Sequence, residues 1–99
     1  MTVHGITIDE ARLGGLCRRH RIRRLALFGS VLSPAFGPES DVDVLVEFEP
    51  GHVPGLRFFS IQDELSALIG RKVDLHTRGF LSRYFRDEVE AQAEVLYAA

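Results

Sequence analysis

Leu27-Phe28-Gly29-Ser30, ten further residues, and then Asp41-Val42-Asp43-Val44-Leu45-Val46 decide how this chain is read. A short apolar run enters a Gly-Ser turn, and two carboxylates follow in an alternating stretch. The alternation predicts a strand over Asp41 to Phe48, with Val42, Val44, Val46 and Phe48 on one face and Asp41, Asp43, Leu45 and Glu47 on the other. Residues two apart in a strand point the same way, about 6.5–7 Å apart, so Asp41 and Asp43 can aim at one site. A third carboxylate, Asp74, stands in another alternating run, Lys72-Val73-Asp74-Leu75-His76. If that strand lies beside the first, Asp74 joins the pair.

Three converging carboxylates offer the shared oxygen ligands that two Mg²⁺ ions about 3.5–4 Å apart require. Such ions would neutralise a triphosphate and hold the attacking and leaving oxygens in line. Gly29 lets the backbone approach an anion, N–H groups at the start of the next turn can bind it, and the Ser30 hydroxyl can add a hydrogen bond. A Gly-Ser dipeptide alone says nothing; a strand before it and Asp-x-Asp in a strand after it make the signal specific. The plainer account, acids on the wet face of an amphipathic strand, weighs more on Asp74, whose match is one residue, than on Asp41 and Asp43. His76 shares the Asp74 face and could reach the metals, but a polar residue at the sheet rim is the preferred account.

Around this nucleus the pattern predicts helices. Thr7 and Glu10 have the spacing of a capping box, and Ile8, Leu13, Leu16 and Cys17 give a helical face up to about His20. Arg24 to Phe28 reads as a strand, and Pro34, Gly37 and Pro38 mark a loop after Ser30. Phe58, Ile61, Leu65, Leu68 and Ile69 recur at helical spacing, with Gly70 placed to end that helix. Arg71 to His76 is a third strand. Leu81, Phe85, Val89 and Leu96 suggest a terminal helix with Arg83/Asp87 and Arg86/Glu90 pairs at i, i+4. Phe58, Phe59, Tyr84 and Phe85 are expected in the core. The whole is a single α+β domain over residues 1–99, a small mixed sheet covered by helices.

The 99 residues suffice for one modest core, and 45% apolar with 26% charged residues fits a soluble protein. No apolar run is long enough to cross a bilayer, the start lacks a secretory pattern, and the single cysteine, Cys17, cannot form an internal disulfide. Together these point to the cytoplasm. The net charge of −2 conceals six arginines against three acids up to Ser40, and six basic residues against eleven acids thereafter. That balance argues against general nucleic-acid binding. The dense run Arg18-Arg19-His20-Arg21-Ile22-Arg23-Arg24 reads as a helix end, where positive charge favours the dipole, rather than an RNA contact.

On Gly29-Ser30, Asp41-x-Asp43 and the later Asp74, the chain resembles the minimal nucleotidyltransferases, the smallest members of the DNA polymerase β-like superfamily. The likeness runs from the helix before Arg24 to the terminal helix. It implies that Gly29 and Ser30 bind the nucleotide phosphates and that Asp41 and Asp43 ligate both metals. Asp74 would ligate the catalytic metal and help deprotonate the attacking hydroxyl. Members resembling this one are often antitoxins encoded beside a HEPN-class toxin, typically a ribonuclease. The resemblance then implies transfer of AMP from ATP to a tyrosine of that toxin. A protein acceptor that brings its own surface suits a chain with little room for an acceptor-binding domain.

One departure stands out. Many relatives carry Arg or Lys in the loop after Gly-Ser, whereas Val31 to Pro38 has no basic residue here and the next is Arg57. Phosphate charge would fall to the metals, backbone N–H groups and Lys72, expected on the Asp74 face. The departure motivates a rival account, a binding module that silences its partner by occlusion. A small-molecule nucleotidyltransferase of the aminoglycoside type ranks below both, for want of an acceptor domain. A homodimer or hetero-oligomer is compatible with apolar positions in the last helix.

Overall fold

A computed structural model describes residues 1–99. A small hairpin of β1 (Thr2–Val3) and β2 (Ile6–Thr7) precedes α1 (Glu10–Arg19) and β3 (Ile22–Phe28). Then come β4 (Val42–Phe48), α2 (Arg57–Ile69), β5 (Val73–Thr77), α3 (Arg86–Gln92) and β6 (Glu94–Ala98). The main sheet runs β5-β4-β3-β6, with β4 and β5 parallel and the other neighbours antiparallel. This is the expected α+β architecture with a mixed sheet. No helix is long and apolar enough to cross a membrane.

The core lies on one face of that sheet. Val42, Val44, Val46 and Phe48 of β4 meet Leu13, Leu16 and Cys17 of α1 and Phe58, Ile61, Leu65 and Ile69 of α2. The predicted β4 alternation is therefore observed, and it leaves Asp43, Leu45 and Glu47 on the opposite face. β3 begins two residues earlier than expected. A register shift between Ile22 and Arg24 lets Ile22 join Leu25 and Leu27 in the core, which simple alternation would forbid.

Four local expectations fail from helix α1 onward. Its cap is Asp9, whose side chain accepts from the Arg12 N–H at 3.1 Å, because Thr7 is held in β2. The terminal helix is short. Leu96 lies in β6, which pairs with β3 through Leu25↔Tyr97 and Ala26↔Val95. The i, i+4 pairs are replaced by Arg78, which meets Asp87 at 2.9 Å and Glu90 at 2.6 Å. Of the four aromatics expected in the core only Phe58 is buried; Phe59, Tyr84 and Phe85 are exposed. Phe59 lies on the exposed side of α2, and Tyr84 and Phe85 precede α3, a helix that buries no side chain.

The edge strand β5 is fastened by α2. Ser66 Oγ accepts from the Val73 N–H at 3.0 Å and Gln62 Oε1 from the Leu75 N–H at 2.9 Å. These bonds bracket Asp74. Gly70, at φ +75°, ends α2 with its N–H on the Ser66 carbonyl, as expected for a left-handed helix terminus. Arg18 and Arg19 occupy the last turn of α1, and Arg19 reaches Glu64 of α2 at 2.9 Å, consistent with the helix-end account of the basic run.

Candidate active site

β3 stops at Phe28, and Gly29–Leu32 turn once in a 3₁₀ helix. Two independent constraints demand glycine at position 29. Its φ is +76°, and a Cβ there would stand 2.5 Å from Asp43 Oδ2. The turn is thus pressed against the carboxylate of the neighbouring strand, because Phe28 and Asp43 are paired residues of β3 and β4. A cavity of about 380 Å³ is lined by Phe28, Gly29, Leu32 and Ser33 with Glu88 and Val89 from α3; Ser30 does not line it.

In the parallel pair β4–β5, Asp43 stands directly opposite Asp74. The two carboxylates converge as the sequence suggested. Asp41 lies just before β4, and Lys72 Nζ is 3.7 Å from its Oδ2. The compact cluster is instead completed by His76, two residues beyond Asp74 on the same face. Its Nε2 is 3.2 Å from Asp74 Oδ2 and 3.5 Å from Asp43 Oδ1, and the donor atoms of all three lie within 4.8 Å of one another. The geometry places His76, read from the sequence as a polar rim residue, within this cluster. The signal was its place two residues after Asp74, the same two-residue rule that joins Asp41 to Asp43.

Burial raises the Asp43 carboxyl above its ordinary value. The nearby His76 opposes the rise, while the Asp74 and Asp41 charges add to it. A partly desolvated carboxylate facing two others is a poor resting place for negative charge and a good one for a cation. The donor set of the compact cluster, two carboxylates and an imidazole with Asp41 outside it beside Lys72, fits a divalent metal, and the buried Nε2 of His76 has no hydrogen-bond partner.

The expected loop without cations is present but not unsupported. Arg71, beyond the start assigned to β5, donates to the carbonyls of Gly37 and Ser40 at 2.8 and 2.9 Å and stacks on Phe36. It stiffens the segment that leads into Asp41. Further along the open face, a cavity of about 470 Å³ lies over Ala26 and Leu45, bordered by Arg24, Thr77, Arg78 and Glu90.

A sequence model of the nucleotidyltransferase domain matches residues 12–96. The chain belongs to the nucleotidyltransferase domain family. This nucleotidyltransferase is 36% identical over 78 residues to a candidate protein adenylyltransferase of Methanocaldococcus jannaschii, covering 76% of each chain. It is 39% identical over 61 residues to the protein adenylyltransferase MntA of Thermococcus cleftensis, covering 61% of this chain and 60% of that one. A solved candidate minimal nucleotidyltransferase superposes with a TM-score of 0.69 at 32% identity, over 85% of both chains. A toxin–antitoxin solved with AMP-PNP gives 0.70 at 20% identity, over 93% of this chain and 75% of that one. The tri-AMPylated Shewanella oneidensis HEPN toxin with its MNT antitoxin gives 0.61 at 20%, over 91% and 70%. At that identity the last two show the fold alone.

Proposed function

We propose that this nucleotidyltransferase, as a single domain, is an antitoxin that transfers AMP from ATP to a tyrosine hydroxyl of a HEPN-family toxin encoded beside it, in the cytoplasm and with Mg²⁺. The observation that carries the proposal is the direct cross-strand pairing of Asp43 with Asp74, with the Gly29 turn packed against Asp43. The names of the relatives, protein adenylyltransferases, and the HEPN complexes of the same fold support the choice of reaction and partner.

In this account the N–H groups of the Gly29-Ser30 turn bind the triphosphate, and the Ser30 hydroxyl donates one further hydrogen bond. Asp41, Asp43 and Asp74 hold the metals; bound there, two divalent ions would offset the phosphate charge and align the attacking and leaving oxygens. The cavity over Ala26 and Leu45 has the size and part-apolar floor to receive the nucleoside. Asp74, more exposed than Asp43, faces the incoming acceptor and takes the tyrosine proton. The new bond joins the tyrosine oxygen to the α-phosphorus, the α–β bridge breaks, and pyrophosphate leaves.

Incubation with ATP labelled at the α-phosphate, Mg²⁺ and the neighbouring HEPN protein should label that protein. Asp43→Asn and Asp74→Asn should each abolish the label. A wild-type chain that leaves the partner unlabelled would refute the transfer.

Occlusion without turnover keeps one observation in its favour. Arg71 is committed to loop carbonyls, and Lys72 is paired with Asp41 at 3.7 Å. If Asp43→Asn neutralises the toxin as well as wild type at equal abundance, occlusion is the mechanism.

A further inference from the structure

The carboxylates of the acidic site are accounted for by the proposed reaction, but the imidazole among them is not. His76 extends from β5 on the same face as Asp74, and its side chain is only about a quarter exposed, at 26%. Phe28 packs edge-on against the ring, with centroids 5.2 Å apart at 72°, and so fixes its orientation. Nε2 points into the gap between Asp43 and Asp74. It is buried and forms no hydrogen bond there. Nε2 is 3.2 Å from Asp74 Oδ2 and 3.5 Å from Asp43 Oδ1. The atom lies between the two carboxylates, close enough to both for all three donor atoms to surround one cation.

We infer that His76 Nε2 is a metal ligand together with Asp43 and Asp74, and that the site prefers a first-row transition divalent cation of the Mn²⁺ or Co²⁺ kind over Mg²⁺. The inference rests on the proposed nucleotidyl-transfer site and deepens it. Mg²⁺ takes oxygen ligands in a strict octahedron and keeps its waters. An imidazole nitrogen adds little for Mg²⁺ but raises affinity for transition ions along the usual order. Two carboxylates and one imidazole from adjacent strands form such a mixed set. Asp41, turned toward Lys72, is left to complete the second, all-oxygen position.

The test uses the whole chain without nucleotide or partner. Mn²⁺ is bound stoichiometrically and read by electron spin-echo envelope modulation. The wild type should show the ¹⁴N coupling of a directly bound imidazole, and histidine labelled with ¹⁵N should replace that pattern. His76→Gln should lose the coupling and bind Mn²⁺ at least about tenfold more weakly, since even groups that only orient ligands change affinity by about 10–100-fold. Its Mg²⁺ affinity should move far less. Mn²⁺ bound by the wild type without ¹⁴N coupling, or coupling that survives His76→Gln, overturns the inference and leaves the transfer reaction standing. No Mn²⁺ or Mg²⁺ binding at all would sink both. Should His76→Gln fail to fold, persistence of the coupling in a His4→Gln, His20→Gln, His52→Gln variant assigns it to His76, and its loss there overturns the inference.

Discussion

Two glycines separate backbone strain from site geometry. Gly29 and Gly70 share a left-handed conformation, φ +76° and +75°, but a Cβ at Gly70 meets open space while one at Gly29 collides with Asp43. Gly70→Ala should therefore cost about 1 kcal/mol in urea denaturation and leave AMP transfer intact. Gly29→Ala should cost at least as much and also abolish transfer and weaken divalent-metal binding, because Asp43 must move. Asp43 itself makes a pH prediction. Its carboxyl value is raised by burial, so the folded state holds the proton more tightly than the unfolded chain. The contribution of Asp43 to metal-free stability is then fully present below the ordinary carboxylate range and is lost as pH climbs through the raised value. At neutral pH Asp43→Asn should melt a few degrees higher than wild type without metal, roughly 2–5 °C for a fraction of a kcal/mol in a domain this size. Added Mn²⁺ or Mg²⁺ should stabilise wild type and leave the variant unmoved. A variant that melts lower without metal would contradict the burial account.

At the scale of elements, Asp74 is held in register by a helix as well as by its strand neighbour. Ser66 and Gln62 satisfy the outward N–H groups of Val73 and Leu75 on an edge strand. Ser66→Ala should lower stability by about 1 kcal/mol and reduce transfer by a larger factor than the equally small Ser60→Ala change at an exposed position of the same helix, measured by denaturation and initial rates. The strands that carry the acids were legible because each alternates within a few residues: β4 shows its core face as Val42, Val44, Val46 and Phe48. β6 was not. Glu94-Val95-Leu96-Tyr97-Ala98 suits a helix as well as a strand, and only pairing with β3, some seventy residues away, decides it. The aromatic spacing after Gly79 was misread for the same reason, since periodicity shows that one face is apolar and not that anything covers it. At the site, the carboxylates announced themselves by spacing. His76 was visible in the same pattern, yet a histidine at a strand end has a commonplace explanation until its neighbours are known.

Across the molecule, one face of the sheet is devoted to stability and the other to chemistry. α1 and α2 seal nineteen core residues on one side. Cys17 sits within that seal, fully buried, and burial pushes its thiol up to about 12. It should react with a thiol reagent only as fast as the domain opens, so its labelling rate reports global unfolding, and rapid labelling in native buffer would show the core to be looser than described. The other face leaves Asp43, Asp74 and His76 clustered near two cavities, which the proposed reaction would use for a nucleotide and an acceptor. The most direct measurement is the intact mass of the neighbouring HEPN protein after co-expression with this chain. The account predicts one or more added AMP groups on tyrosine with wild type, and none with Asp43→Asn or Asp74→Asn at equal abundance. An unmodified partner in every case, or a modification that survives both substitutions, would contradict it.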